Sequence, residues 1–137
     1  MTNLNTLAEE IFQANKEKGF WSHPRPLTET TMLIVTELSE AVEEERAGRA
    51  GVWYSDPAYD MHYDADMVAV EGDHLAHPLR GSRSRALKPE GIDIELIDAL
   101  IRLLDLLGSR GTDVEELLRQ KLAYNREGRG YRHGKAY

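Results

Sequence analysis

The chain has no cysteine anywhere in its 137 residues. That excludes disulfides, thiolate metal sites and cysteine nucleophiles. No run approaches the roughly 18 consecutive apolar residues that a membrane span needs. The first residues also lack the basic region and apolar stretch of a secretory signal. Together these absences suit a cytoplasmic protein that does not enter a membrane. Basic charge is scarce as well, with 17 lysines and arginines against 24 aspartates and glutamates and a net charge of -7. A general nucleic-acid binder would show a basic footprint instead. No serine, cysteine or histidine constellation has the spacing of a covalent mechanism.

A chain of this length is one domain, residues 1–137, by prior, and small enough that association with a second copy is expected. Its acidic residues are not evenly spread. Glu37-Leu-Ser-Glu40 and Glu95-Leu-Ile-Asp98 each place two carboxylates three residues apart in a segment with a helical, Leu/Ile-rich pattern. Residues three apart are neighbours on one face of a helix, so each pair points its side chains the same way. In the run from Gly91 to Gly108, Glu95, Asp98, Arg102 and Asp105 fall within a sector of roughly 80 degrees, and leucine and isoleucine fill nearly all the rest. A helix apolar almost all round is predicted to be buried. Its acidic stripe then needs a partner, either Arg102 or a metal ion. Four carboxylates from two facing helices would repel one another unless a hard cation lay between them. Mg2+ prefers such oxygen ligands, and Mn2+ would also fit.

Taken in order, the sequence predicts an all-α protein with a four-helix core. The first helix covers residues 3–18, capped by Asn3 or Asn5 and stopped at Gly19. A proline-bearing connector follows, in which Trp21 and His23 are candidates to stack on or hydrogen-bond a base. The second helix runs from a Thr28 cap to near Gly48 or Gly51. Residues 51–90 then form an insert rich in Gly, Pro, His, Tyr and Asp, where helical periodicity disappears. Alternation from Tyr59 to Met67 predicts a strand, turned back at Glu71-Gly-Asp73 into a short β-hairpin. Arg80, Arg83, Arg85 and Lys88 fall in a loop that could close over phosphate. The third helix is expected from Ile92 to Gly108–Gly111, and the fourth is capped by Thr112, with Lys121 and Asn125 four apart on one face. A basic tail, about 126–137, carries Arg126, Arg129, Arg132 and Lys135.

Glu37-x-x-Glu40, Glu95-x-x-Asp98, the Lys88-Pro-Glu-Gly91 lead-in, Lys121-x-x-x-Asn125 and the Tyr-Arg-His-Gly-Lys ending together resemble the MazG-like branch of the all-alpha nucleoside triphosphate pyrophosphohydrolases. The resemblance covers more than half the chain, and the spacer between the acidic pairs is longer than is usual in that family. It implies a homodimer or homotetramer that cleaves a ribo- or deoxyribonucleoside triphosphate to the monophosphate and pyrophosphate. By the matching positions, Glu37, Glu40, Glu95 and Asp98 would hold Mg2+. Lys121, Asn125, Arg132 and Lys135 would contact phosphate or sugar, and Trp21 is a further substrate-binding candidate. Independently of the family, a carboxylate not fully engaged by metal can accept the proton of an attacking water, and Glu40 is the expected general base. The alternative is a non-catalytic helical protein that binds a nucleotide or a metal for regulation.

Overall fold

The computed structural model describes residues 2–58, 60–71, 74–76 and 87–127. Among them, four helices dominate: α1 Leu4–Glu17, α2 Leu27–Arg46, α3 Ile92–Ser109 and α4 Val114–Glu127. Five short strands lie between α2 and α3: β1 Trp53–Asp56, β2 Met61–Asp64, β3 Ala69–Glu71, β4 His74–Ala76 and β5 Lys88–Glu90. The protein is thus mostly helical with a small β component in the expected insert. It divides into two compact units, Met1–Pro26 with Leu103–Tyr137, and Leu27–Arg102. No described helix is long and apolar enough to cross a membrane.

In the first unit, the ends of two helices cap each other. Asn3 is the cap of α1, its side chain accepting from the Thr6 backbone N–H at 2.8 Å. Asn5 serves α4 instead: its Oδ1 accepts from the Val114 N–H at 2.7 Å and its Nδ2 donates to Asp113 Oδ1 at 2.9 Å. Glu115 returns the contact by accepting from the Leu4 N–H at 3.0 Å. Asp113, rather than the predicted Thr112, caps α4 by accepting from the Glu116 N–H at 3.0 Å. Thr112 belongs to the turn closing α3, where its N–H donates to Leu107 O. Gly108 has no room for a side chain, since a Cβ there would lie 2.5 Å from the Ala8 carbonyl oxygen.

The second unit holds α2 and the strands. Thr28 lies inside α2, which begins one residue earlier at Leu27, so it is not the cap expected from sequence. The helix closes at Gly48, whose φ of 66 suits glycine. Beyond it, a three-stranded antiparallel sheet has the order β2-β1-β5. Tyr54 pairs with Tyr63 across β1 and β2, and both join Val68 and Leu87 in a small buried cluster. β5 is an edge strand, the position where Pro89 costs no ladder bond. The single strand predicted over residues 59–67 is shorter than expected: it ends at Asp64, and Ala65–Met67 form a 3-10 turn. That strand pairs with β1 rather than with a strand turned back at Glu71-Gly-Asp73; the separate strands β3 and β4, on either side of residues 72–73, pair antiparallel with each other.

One expectation fails on the helix surfaces. α3 is not buried all round: Leu96, Ile97, Leu100, Ile101 and Leu103 are exposed, Leu100 by 43%. On α2, Met32, Val35, Leu38 and Val42 form a second exposed apolar row, with Met32 59% exposed.

Candidate metal and nucleotide site

The two acidic pairs lie within the unit formed by residues 27–102. α2 supplies Glu37 and Glu40, and α3 supplies Glu95 and Asp98. The start of α3 is fixed by Gly91, which has φ +113 and whose Cβ position would be 2.5 Å from the Gly51 carbonyl oxygen. A side chain there would meet both backbone strain and a direct clash. The same junction is tied by the Asp93 N–H donating to Gly51 O at 2.9 Å and the Glu95 N–H to Gly91 O at 3.0 Å. Glu95 is thereby aimed at α2 from the first turn of its helix.

Carboxylate oxygens of Glu37, Glu95 and Asp98 all lie within 4.8 Å of one another. Glu37 and Glu95 are buried, only 7% and 8% exposed, whereas Asp98 is partly exposed. Glu40, exposed on α2, is not one of the three but reaches Glu95, with which it shares a hydrogen bond. Arg102, one turn beyond Asp98, donates from Nε to Glu37 Oε1. Burial, followed by the charges of Glu40, Asp98 and Glu37, pushes the Glu95 carboxyl up from 4.5 to about 7. Asp98 is raised chiefly by burial and then by Glu37, with Arg102 and Lys88 opposing.

Lys88 is a member of this site that sequence reasoning assigned to a loop. It lies on β5, and its ammonium is 3.0 Å from Glu90 Oε1. Hydrogen bonding to Glu90 is the main cause of its raised pKa, and the charges of Glu90, Glu95 and Asp98 add to it. A cation thus stands at the edge of the acidic cluster. Its sequence signal was the short distance from Lys88 to Glu95, seven residues that include the Pro-Glu-Gly lead-in.

The other expected site residues belong to the other unit or lie outside the described residues. Trp21 belongs to the unit built from residues 1–26 and 103–137. There its indole N–H donates to Asp105 Oδ1 at 2.9 Å, and its ring meets Phe12 and Phe20 edge-on. Asn15 donates to the other Asp105 oxygen at 2.9 Å. Asp105, which the sequence placed on the acidic stripe of α3, is therefore buried and hydrogen-bonded by two neutral side chains. Lys121 and Asn125 lie on α4 in the same unit as Trp21. The Lys121 ammonium sits 5.0 Å from the Tyr124 ring. Arg132 and Lys135, and the arginines of the expected phosphate loop at 80, 83 and 85, lie outside the described residues.

Comparison of the chain with known families, curated proteins and solved structures finds no match.

Proposed function

We propose that the protein is a Mg2+-dependent nucleoside triphosphate pyrophosphohydrolase, releasing a nucleoside monophosphate and pyrophosphate. The observation that carries this reading is the convergence of Glu37, Glu40, Glu95 and Asp98 from two helices beside one lysine. The donor set fits the metal: three carboxylate oxygens lie within 4.8 Å of one another, and burial and the neighbouring carboxylates raise the Glu95 carboxyl to about 7, a strain that a bound cation would relieve. Oxygen-only ligands suit Mg2+ or Mn2+ rather than a soft metal. Bound there, the ion would neutralise charge on phosphate oxygens and acidify a water molecule.

The chain's own residues account for the remaining work. Arg102 orients the Glu37 carboxylate through its ion pair. Glu40 lies outside the tightest group of three, which suits a carboxylate that accepts the proton of the attacking water. Lys88 supplies positive charge to a phosphate approaching the cluster. Lys121 and Asn125, with Arg132 and Lys135, remain the proposed phosphate and sugar ligands. Direct attack by water on the α-phosphorus, with pyrophosphate as the leaving group, needs no covalent intermediate.

The exposed apolar rows of α2 and α3 support a homodimer or a dimer of dimers. Exposed rows of four and five large apolar side chains are costly to leave in water. A second copy of the same helices would cover them in an all-helical core.

The test is product analysis by chromatography, offering each common ribo- and deoxyribonucleoside triphosphate with Mg2+ and then with chelator. Monophosphate plus pyrophosphate, lost on chelation, is the expected result. Absence of turnover with every substrate, together with saturable nucleotide binding by calorimetry, would replace the enzyme with a nucleotide-binding regulator.

A further inference from the structure

One face of the three-stranded sheet carries a row of polar and aromatic side chains of which the proposed reaction uses only Lys88. The register sets Trp53 opposite Asp64 on one side and Glu90 on the other. It likewise sets Ser55 opposite His62 and Lys88. Because side chains alternate along a strand, these six share one face of the sheet. Their contacts agree: the Trp53 and His62 rings are 4.7 Å apart, and Ser55 Oγ donates to Glu90 at 3.2 Å.

At the β1–β2 end this face opens into a cavity of about 350 Å3, bordered by Arg49, Trp53, His62, Asp64 and Met67. That is within the range of small-molecule sites. Trp53 is a fixed wall, since its indole N–H donates to Glu44 Oε2 at 2.9 Å. The Arg49 guanidinium lies 5.1 Å from the Trp53 ring. His62 and Met67 stand exposed at the rim. At the other end of the row, Lys88 adjoins the acidic cluster. Neighbouring strands are about 4.8 Å apart, so the two ends are separated by about 10 Å. A ribose linking a base to its phosphate covers a comparable span. α2 connects the same two places, because Glu44 follows Glu40 by one turn, about 6 Å along the axis.

We infer that this cavity is a base-binding subsite, in which a planar nucleobase stacks against the His62–Trp53 pair beside Arg49, and Asp64 accepts from N–H groups on the base edge. The inference rests on the nucleotide reading above and specifies which end of the sheet takes the base. Stacking of this kind is available to every base, and the Asp64 acceptor favours those with N–H donors at their edge.

The test uses uncharged nucleosides, whose binding needs neither metal nor phosphate contacts. Guanosine, adenosine and uridine are titrated into the isotope-labelled protein in chelator, and the two tryptophan indole N–H signals are followed by NMR. A saturable shift at Trp53 and at the His62 ring, with Trp21 still, is the expected result. Exposed His62 tolerates replacement, and His62→Ala should weaken that binding about tenfold. A shift at Trp21 alone, or at neither tryptophan, overturns the inference. Unchanged nucleoside affinity in both His62→Ala and Arg49→Ala does so as well. A saturable Trp53 shift in a protein without turnover leaves the subsite and removes the reaction, while turnover with a silent Trp53 does the reverse.

Discussion

Removing the carboxylate of Glu95 should stabilise the metal-free protein at high pH, although it sits in the proposed active site. Its carboxyl is held at about 7 in the fold against 4.5 for an unstrained glutamate. Between those values the folded state keeps a proton that the unfolded chain has lost, so stability falls as pH rises through that window. Each pH unit between them corresponds to about 1.4 kcal/mol, which sets a ceiling of about 3.5 kcal/mol. The cluster is open to water at Glu40 and Asp98, and screening there reduces the figure to about 1–2 kcal/mol. In chelator, Glu95→Gln should therefore match the wild type near pH 4 and melt roughly 5 °C higher at pH 8. Thermal unfolding followed by circular dichroism at both pH values measures this, and taking the difference between the two proteins cancels other titrating groups. Millimolar Mg2+ should reverse the order at pH 8, because only the wild type gains binding energy from the complete ligand set. A wild type more stable than Glu95→Gln at pH 8 in chelator would show that the four carboxylates do not strain the fold.

Glu37→Gln, Glu40→Gln and Asp98→Asn, with Glu95→Gln, should each abolish pyrophosphate release while leaving the helical dichroism intact; two or more variants near wild-type activity would remove the proposed metal site. Lys121→Ala should raise KM more than it changes stability, and unaltered kinetic constants would take it out of the substrate site. Gly91→Ala should destabilise the chain by about 2 kcal/mol or more, combining strain at positive φ with a backbone clash; an unchanged urea midpoint would refute the proposed junction. Leu100→Glu should shift the oligomer toward monomer in light scattering coupled to gel filtration, and an unaltered mass would place the interface elsewhere.

The features legible in the sequence were those that local chemistry determines. Two Glu-x-x-acid pairs in helical segments anticipated the grouping of Glu37, Glu95 and Asp98, because helix geometry turns i and i+3 to one side. Asn3 and Gly19 marked the ends of α1 by their intrinsic preferences. What escaped depended on contacts distant in sequence. Asp105 shared a stripe with Glu95 and Asp98, but Trp21 and Asn15, some ninety residues away, supply its hydrogen bonds. Trp53–Asp56 is too short to show alternation, and Lys88–Glu90 carries a proline, so neither announces a strand alone; each becomes one by pairing. The uniformly apolar pattern of α3 was read as burial, whereas Leu96, Ile97, Leu100, Ile101 and Leu103 are exposed, because pattern alone does not fix how much of a helix its neighbours cover.

The crossed capping of α1 and α4 bears on how the protein opens. Asn5 terminates a helix more than a hundred residues away, and Glu115 of that helix holds the first amide of the helix to which Asn5 belongs. Neither end can fray by itself, since unwinding the first turn of α1 withdraws acceptors from α4, and unwinding α4 exposes the Leu4 amide. Amide hydrogens of these two first turns should thus exchange with solvent at a common rate, as one cooperative unit, instead of with the graded protection of two independent helix ends.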